Sequence, residues 1–341
     1  MRLSVLDQST VVTGRTPAES IQESLALARF AESLGYARYW VAEHHNSDSQ
    51  AGTAPEILIG AIAATTSRIR VGSAGVMLPH YATLKVAEQF RVLEAVAPGR
   101  IDLGLGRAPG SDGHTAFALN PRADTAADQF PAQVRDLLAW VSGQPLVDGH
   151  PFQEVRAQPT GPTAPEVWVL GSSDYGAQVA AYFGLPYCYA HFITEGRGAE
   201  QAIAAYRANF RPSTRLAAPL VAVCIWALAA DSRQEAERLL TSRLAWRLGR
   251  NRGLFHPLLS PDEVAQREFS EAERAHMDAG RAVSIYGTAD EVAGQINSLA
   301  TDLGAAEVAI LTTVHDPEAR RRSYALLAQE FGLASSVLAA A

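Results

Sequence analysis

The chain has 341 residues, 48% hydrophobic and 19% charged, which is enough apolar material for a large folded core. The formal net charge of -7, with no block of like charges, argues against nucleic acid or an anionic membrane surface as a partner. No basic-then-apolar leader precedes Leu3, and the longest apolar run, 216–230, is too short to span a bilayer, so we expect a cytoplasmic protein. Cys188 and Cys224 lie in apolar runs, which predicts buried, reduced thiols.

Strand-like and helix-like segments alternate from the amino terminus onward. The predicted strands are residues 3–6, 39–42, 69–76, 100–105, 167–170, 187–191, 219–227 and 307–311. The predicted helices are residues 17–34, 55–66, 84–96, 125–141, 175–183, 199–209, 232–246, 290–303 and 317–331. Two segments break this rhythm: the proline-rich residues 142–165 and the polar residues 248–283.

Continuous strand–helix alternation predicts a parallel α/β sheet, and eight such units predict closure into a (β/α)8 TIM barrel. We expect one domain over residues 1–341, with insertions of which the largest irregular one lies at about 248–283. The main alternative is an open doubly wound sheet. It would require a glycine-rich turn after the first strand, where this chain has Asp7-Gln8-Ser9-Thr10.

The second predicted strand ends in YWVAEHHN, which places Glu43, His44 and His45 where barrel enzymes carry their chemistry. Adjacent histidines on a strand point to opposite sides, so we expect at most one to face the site. That expectation and the absence of HExxH spacing weaken a zinc-site interpretation, and no metal is predicted. A buried structural histidine remains an alternative for either residue.

Two other strand ends are suited to bind an anion. Arg107 lies in LGLGRAPG, where glycines permit close approach of a ligand; alternatively, Arg107 pairs with a loop carboxylate such as Asp112. Gly171-Ser172-Ser173 precedes a predicted helix, whose free N–H groups favour an anion; alternatively, a serine only caps that helix. The GxGxxxG spacing of residues 104–110 does not indicate a dinucleotide loop, because no helix is predicted until about residue 125.

Five segments together resemble the bacterial luciferase-like flavin-dependent monooxygenases, in the same order and over nearly the whole chain. They are WVAEHHN, VGSAGVMLP, LEAVAPGRIDLGLGRAPG, LGSS with AAYFGLPY, and YGTADEVAGQINSLATDLGAAEVAIL. The chain is most similar to the single-chain bacterial members of that family.

The resemblance implies FMN across the C-terminal mouth of the barrel. His44 would be the catalytic histidine near the reactive edge of the flavin, where it stabilises a peroxide or transfers a proton. Ala74-Gly75 matches the position of a non-prolyl cis peptide under the flavin ring. By the same resemblance, the FMN phosphate would be held by Arg107, Ser172, Ser173, Tyr175 and Gly176.

Departures from the family pattern limit the comparison. Luciferase has a reactive cysteine at the position of Gly106 and a carboxylate at that of Gly171, so we expect no light emission and partly different phosphate contacts. Residues 248–283 correspond to a mobile lid in the family, which we expect to close over reduced flavin and exclude water. That segment holds Arg250, Arg252, His256 and Arg281.

The function implied by this resemblance is a two-component monooxygenase. A separate flavin reductase, by transient contact or free diffusion of reduced FMN (FMNH2), would supply the flavin that reacts with O2 and oxygenates a small hydrophobic molecule such as an aldehyde. A homodimer is expected by analogy. The alternatives are an F420-dependent oxidoreductase that transfers hydride and a non-catalytic flavin-binding protein. Apolar side chains compatible with a hydrophobic substrate are Leu78, Tyr81, Phe117 and Trp226.

Overall fold

Parallel strands close into a barrel in the computed structural model of the protein, which describes residues 1–108 and 110–333. The strands are β1 (Arg2–Asp7), β2 (Arg38–Val41), β3 (Arg70–Ser73), β4 (Val76–Met77), β5 (Ile101–Gly106), β6 (Glu166–Gly171), β7 (Tyr187–Ala190), β8 (Val221–Ala229), β9 (Ile285–Gly287) and β10 (Glu307–Leu311). The barrel order is β1-β2-β3-β5-β6-β7-β8-β10, and β10 pairs with both β8 and β1 to close it. Because every pairing is parallel, the C-terminal strand ends meet at one mouth.

Helices surround this barrel and connect successive strands. They are α1 (Pro17–Leu34), α2 (Pro55–Thr65), α3 (Thr83–Val96), α4 (Gly113–Leu119), α5 (Ala123–Ala126), α6 (Phe130–Ser142), α7 (Asp174–Phe183), α8 (His191–Thr194), α9 (Ala199–Asn209), α10 (Arg233–Arg250), α11 (Pro261–Ala265), α12 (Glu271–Ala282), α13 (Ala289–Leu303) and α14 (Pro317–Glu330). Within residues 1–108 and 110–333, no helix is both long and apolar enough to cross a membrane.

Local sequence signals account for many helix boundaries. Thr16 and Glu19 form a reciprocal capping box at the start of α1, and Gly35 ends that helix in the left-handed conformation. The same left-handed glycine ends α6 at Gly143 and α13 at Gly304. These caps satisfy terminal backbone groups and fix where the chain turns back toward the barrel.

Aromatic and charged side chains fill the barrel interior in layers. The rings of Trp40 and Trp168 meet edge to face, with centroids 5.2 Å apart. Toward the amino end, buried Asp102 accepts hydrogen bonds from the Trp40 indole (2.9 Å) and the guanidinium groups of Arg38 (2.8 Å) and Arg70 (2.5 Å). Arg38 also pairs with buried Glu307 at 3.1 Å. This buried ion-pair network fills the barrel toward its amino end.

The predicted barrel and its eight strands are confirmed, whereas the insertions differ from the prediction. Residues 248–283 are not the largest irregular stretch, because α10 continues to Arg250 and α11, α12 and β9 begin soon after. Across the described residues, the longest stretch without helix or strand is 143–165. It is held by Arg91, whose guanidinium donates to the carbonyls of Pro159 (2.8 Å) and Thr163 (2.5 Å). Both cysteines are buried and free, as predicted.

Candidate active site at the barrel mouth

A cavity of about 990 Å³ opens at the C-terminal ends of the strands. Side chains of the barrel interior, including Leu6, Trp40 and Leu311, form its deep surface. Loops after β2, β5 and β6 form part of its wall, and α10 forms another part. Cofactor and small-molecule sites usually occupy roughly 300–1,000 Å³, so this cavity has room for a cofactor together with a small second molecule.

His44 lines this cavity in the loop that follows β2. Its Nε2 lies 3.4 Å from the amide nitrogen of Gln50, and its buried Nδ1 has no hydrogen-bond partner in the described part of the chain. Burial, aided by the positive charge of Arg250 and by His45, lowers the pKa of His44 from 6.5 to about 3. The imidazole is therefore neutral at pH 7. Because its Nε2 accepts from the Gln50 amide, Nδ1 carries the hydrogen and is the donor left without a partner.

The neighbouring carboxylate of Glu43 organises this loop. It accepts hydrogen bonds from the Tyr81 hydroxyl at 2.6 Å, His45 Nε2 at 2.8 Å and the Met77 backbone N–H at 3.1 Å. The prediction that at most one histidine faces the site is wrong, since both line the cavity. The alternation expected of a strand does not apply, because β2 already ends at Val41.

The peptide bond between Ala74 and Gly75 is cis, in agreement with the family pattern. It divides the predicted third strand into β3 and β4, and both residues line the cavity. A Cβ atom at Gly75 would lie only 2.7 Å from the Gly104 carbonyl oxygen of β5, so the close approach of these backbones requires glycine.

The guanidinium of Arg107 lies over the ring of Tyr175, with its central carbon 4.2 Å from the ring centroid. No ion pair joins Arg107 to Asp112 in the structure. The Asp112 carboxylate instead caps α4, accepting hydrogen bonds from the backbone of His114 (2.9 Å) and Thr115 (3.1 Å). Since α4 begins at Gly113, the prediction of no helix before about residue 125 is wrong. Because Asp112 does not pair with Arg107, the arginine keeps its charge available at the cavity.

The first turn of α7 lies beside this arginine. Ser173 is the N-cap residue, but its hydroxyl makes no capping hydrogen bond, so the alternative of a simple capping serine does not hold. Asp174, the acid of this turn, is exposed and is not among the cavity-lining residues. The helix N-terminus and the nearby guanidinium both favour an anion. The predicted residues that line this side are Arg107, Ser172, Ser173, Tyr175 and Gly176.

One wall of the cavity was missed by the sequence analysis. Arg243, Trp246, Arg247 and Arg250 of α10 line the cavity, whereas the sequence prediction ended that helix at residue 246. The spacing of the three arginines, four and then three residues, places them on one helical face and was readable from the sequence.

Other side chains expected near the substrate lie elsewhere. Among the four apolar residues suggested as compatible with a substrate, only Trp226 lines the cavity. Leu78 belongs to the buried core, Tyr81 is bonded to Glu43, and Phe117 is exposed on α4. No group of three or more histidine, cysteine, aspartate or glutamate side chains within the described residues could hold a metal ion.

A family model for luciferase-like monooxygenases matches residues 1–307. The chain belongs to this family. A luciferase-like monooxygenase of Escherichia coli strain K12 is 40% identical over 324 residues, covering 95% of both chains. N-acetyl-S-alkylcysteine monooxygenase of Bacillus subtilis strain 168 is 36% identical over 334 residues, covering 96% of this chain and 97% of that protein. This luciferase-like protein is therefore an oxidoreductase that incorporates O2.

Solved structures share the barrel of this luciferase-like monooxygenase. The crystal structure of apo-MsnO8 is 37% identical, with a TM-score of 0.85 and coverage of 97% of this chain and 98% of that chain. The oxygenating constituent of 3,6-diketocamphane monooxygenase of Pseudomonas putida, in complex with FMN, is 19% identical, with a TM-score of 0.69 and 97% coverage of both. An F420-dependent secondary alcohol dehydrogenase is 16% identical, with a TM-score of 0.68 and coverage of 96% and 97%. The last two similarities show the fold alone.

Proposed function

We propose that this luciferase-like monooxygenase uses reduced FMN from a separate flavin reductase, together with O2, to oxygenate a small organic substrate such as an aldehyde. The observation that carries the proposal is the wall formed by Arg107, Tyr175 and the start of α7. FMN ends in a phosphate dianion, and this wall offers a guanidinium without an ion pair in the described residues and a helix N-terminus without a side-chain cap.

The remaining cavity residues fit a flavin ring and its chemistry. Ala74 and Gly75 line the cavity and have little or no side chain, which suits them to lie against the ring. Bound reduced FMN supplies the electrons that activate O2. His44 is neutral, and its unpartnered Nδ1–H would donate to the reacting oxygen, while Glu43 fixes the loop that carries this histidine.

The segment that follows α10 supplies a cover for the site. Phe255 lines the cavity, and Leu258 forms backbone hydrogen bonds of 2.9 Å with Val11 and Thr13 in the loop after β1. We propose that this cover excludes water once flavin is bound. Limited proteolysis with and without FMN tests the cover; equal cleavage in both states contradicts it.

We also propose that the protein acts as a homodimer. The reductase delivers reduced flavin to it by transient contact or by diffusion.

Anaerobic titrations with reduced FMN and with reduced F420, followed by fluorescence, test the choice of cofactor. We expect binding of reduced FMN and none of reduced F420; the opposite result would establish the hydride-transfer alternative.

Turnover is then measured under 18O2 with reduced FMN, using aliphatic aldehydes and N-acetyl-S-alkylcysteines as probes, the latter chosen from the relative's name. We expect one 18O atom in the product. Binding of FMN with no oxygenation of either probe class, and no reaction of the bound reduced flavin with O2, would indicate a non-catalytic flavin-binding protein.

A further inference from the structure

Helix α10 presents a row of arginines to the cavity. Arg243, Arg247 and Arg250 are spaced by four and three residues, and all three line the cavity wall. Such spacing places side chains on the same helical face, one above another. Three guanidinium groups therefore converge on one side of the same cavity.

Only one member of this row forms a salt bridge with a described residue. Arg247 forms a salt bridge with Glu195 at 2.6 Å and donates to the Phe192 carbonyl oxygen at 3.2 Å. Glu195 is shared with a second arginine, Arg197, at 3.5 Å. Glu195 thus forms its salt bridges with Arg247 and Arg197, and it forms none with Arg243 or Arg250.

Arg243 and Arg250 have no ion-pair partner in the described residues. Arg243, only 6% exposed, stacks on Trp226 at 4.2 Å from the ring centroid and donates one hydrogen bond, to Ser284 Oγ at 3.1 Å. Arg250 lies over Trp246, 5.2 Å from the ring centroid. Burial, together with repulsion from Arg247, lowers the pKa of Arg243 to about 9, although the negative charge of Glu195 acts in the opposite direction.

The cavity itself offers no free carboxylate to these two cations. Its described lining includes only two acidic residues, Glu43 and Asp112. Glu43 already accepts three hydrogen bonds, and Asp112 caps α4. A direct ion-pair partner for Arg243 or Arg250 would therefore come from a bound molecule or from solvent ions.

This row is separate from the wall assigned to the FMN phosphate. Arg107 and Tyr175 follow β5 and β6, whereas α10 follows β8, and β7 lies between β6 and β8 in the barrel. Arg250 is instead close enough to His44 for its charge to lower the pKa of that histidine. The unpaired cations thus border the part of the cavity where oxygenation is proposed.

We propose that Arg243 and Arg250 bind a carboxylate of the organic substrate, and that the aromatic side chains beside them contact its hydrocarbon part. Planar guanidinium groups pair with carboxylates through two parallel hydrogen bonds, which fixes the orientation as well as the position of the acid. The aromatic residues that line this region are Trp226, Trp246 and Phe255. The statement that the bound acid is the molecule oxygenated rests on the proposed function. The existence of the carboxylate-binding site does not depend on that function.

Calorimetric titration of the full-length protein with octanoate and with octanamide tests this site without any flavin. The two probes have similar shape, and only octanoate carries a charge at pH 7. We expect octanoate to bind at least about tenfold more tightly, since a charge-assisted hydrogen bond is typically equivalent to a 10- to 100-fold change in affinity. Equal affinities, or no binding of octanoate at millimolar concentration, would overturn the proposal.

Matched variants locate the interaction. Arg250→Gln and Arg243→Gln should each weaken octanoate binding about 10- to 100-fold and leave the affinity for octanamide unchanged. Arg252→Gln is the control, because Arg252 is paired with Glu273 at 2.6 Å outside the cavity. Because Arg243 is buried, its variant is first compared with the wild type by near-ultraviolet circular dichroism. Arg250, which is less buried, gives the result if Arg243→Gln does not fold. Unchanged octanoate affinity in Arg250→Gln overturns the proposal.

A final titration separates this site from the cofactor site. The FMN affinity of Arg250→Gln should stay within about threefold of the wild-type value. Arg107→Gln should instead lower the affinity for FMN and leave the affinity for octanoate unchanged. If Arg250→Gln lowers the affinity for FMN as strongly as Arg107→Gln does, the arginine row belongs to the cofactor site and the substrate assignment is wrong. If the protein still binds octanoate more tightly than octanamide but incorporates no 18O, the proposed function is refuted and the carboxylate site is not.

Discussion

The guanidinium of Arg107 and the ring of Tyr175 stack with 4.2 Å between the central guanidinium carbon and the ring centroid. This contact joins the loop after β5 to the first turn of α7. It holds a cation at a helix N-terminus with no acidic partner in the described residues, an arrangement that favours a bound dianion.

Arg107→Ala should lower FMN affinity about 10- to 100-fold, because a charge-assisted contact to phosphate is lost. Tyr175→Phe is the control, since phenylalanine keeps an aromatic face for the guanidinium and should stay within about threefold of the wild type. Quenching of flavin fluorescence gives both affinities. Similar affinities for the Arg107→Ala variant and the wild type would remove the phosphate assignment.

His44→Asn should reduce turnover with reduced FMN about 100-fold or more, the usual contribution of a positioned proton donor or acceptor. FMN binding should change little, because His44 lies away from the phosphate wall. His45→Asn is the matched neighbour: its ring bonds to Glu43, so we expect a smaller loss. Equal losses in the two variants would argue that both histidines act only by shaping the loop.

Folding stability should depend on pH through His44. Its pKa is about 3 when folded and near 6.5 when unfolded, so between these values the unfolded chain binds more protons. The stabilisation is fully present above pH 6.5 and declines as pH falls, by about 1.4 kcal/mol per unit, or about 2 kcal/mol at pH 5. Urea unfolding of wild type and His44→Asn across this range measures the difference; parallel curves would contradict the assigned pKa shift.

Gly75→Ala should destabilise the fold by about 1–3 kcal/mol or more, because its Cβ would lie 2.7 Å from the Gly104 carbonyl oxygen. Gly171→Ala is the control at another strand end, where an added Cβ meets nothing within 4 Å. Urea midpoints of the two variants provide the comparison. A Gly75→Ala protein as stable as Gly171→Ala would show that the segment between β3 and β4 can move away from β5 at little cost.

Glu43→Ala should cost more stability than Tyr81→Phe. Removal of the Tyr81 hydroxyl loses one hydrogen bond, about 1 kcal/mol, whereas removal of Glu43 also leaves the Met77 N–H without its acceptor, about 1–3 kcal/mol more. Denaturant unfolding measures both values. The reverse order would mean that water replaces the carboxylate without loss.

Three elements within or next to residues 248–283, α11, α12 and β9, were not predicted from the sequence. Helices α11 and α12 each begin with a capping box, Ser260 with Glu263 and Ser270 with Glu273, and this spacing is visible in the sequence. β9 has only three residues, too few for any periodicity to identify it. Its position depends on pairing with the end of β8, which is a tertiary contact.

The sequence by itself determined the barrel and the residues at its strand ends, because strand–helix alternation and apolar runs are local properties of the chain. It also placed His44 and Arg107 at the mouth, since parallel strands bring their C-terminal ends together, whereas the position of Gly75 followed from the family resemblance. Only the tertiary structure decided which side chains share the cavity. Arg107 meets Tyr175, and Arg243 lies in the wall unpaired, because these contacts depend on how the loops and α10 pack across the closed barrel.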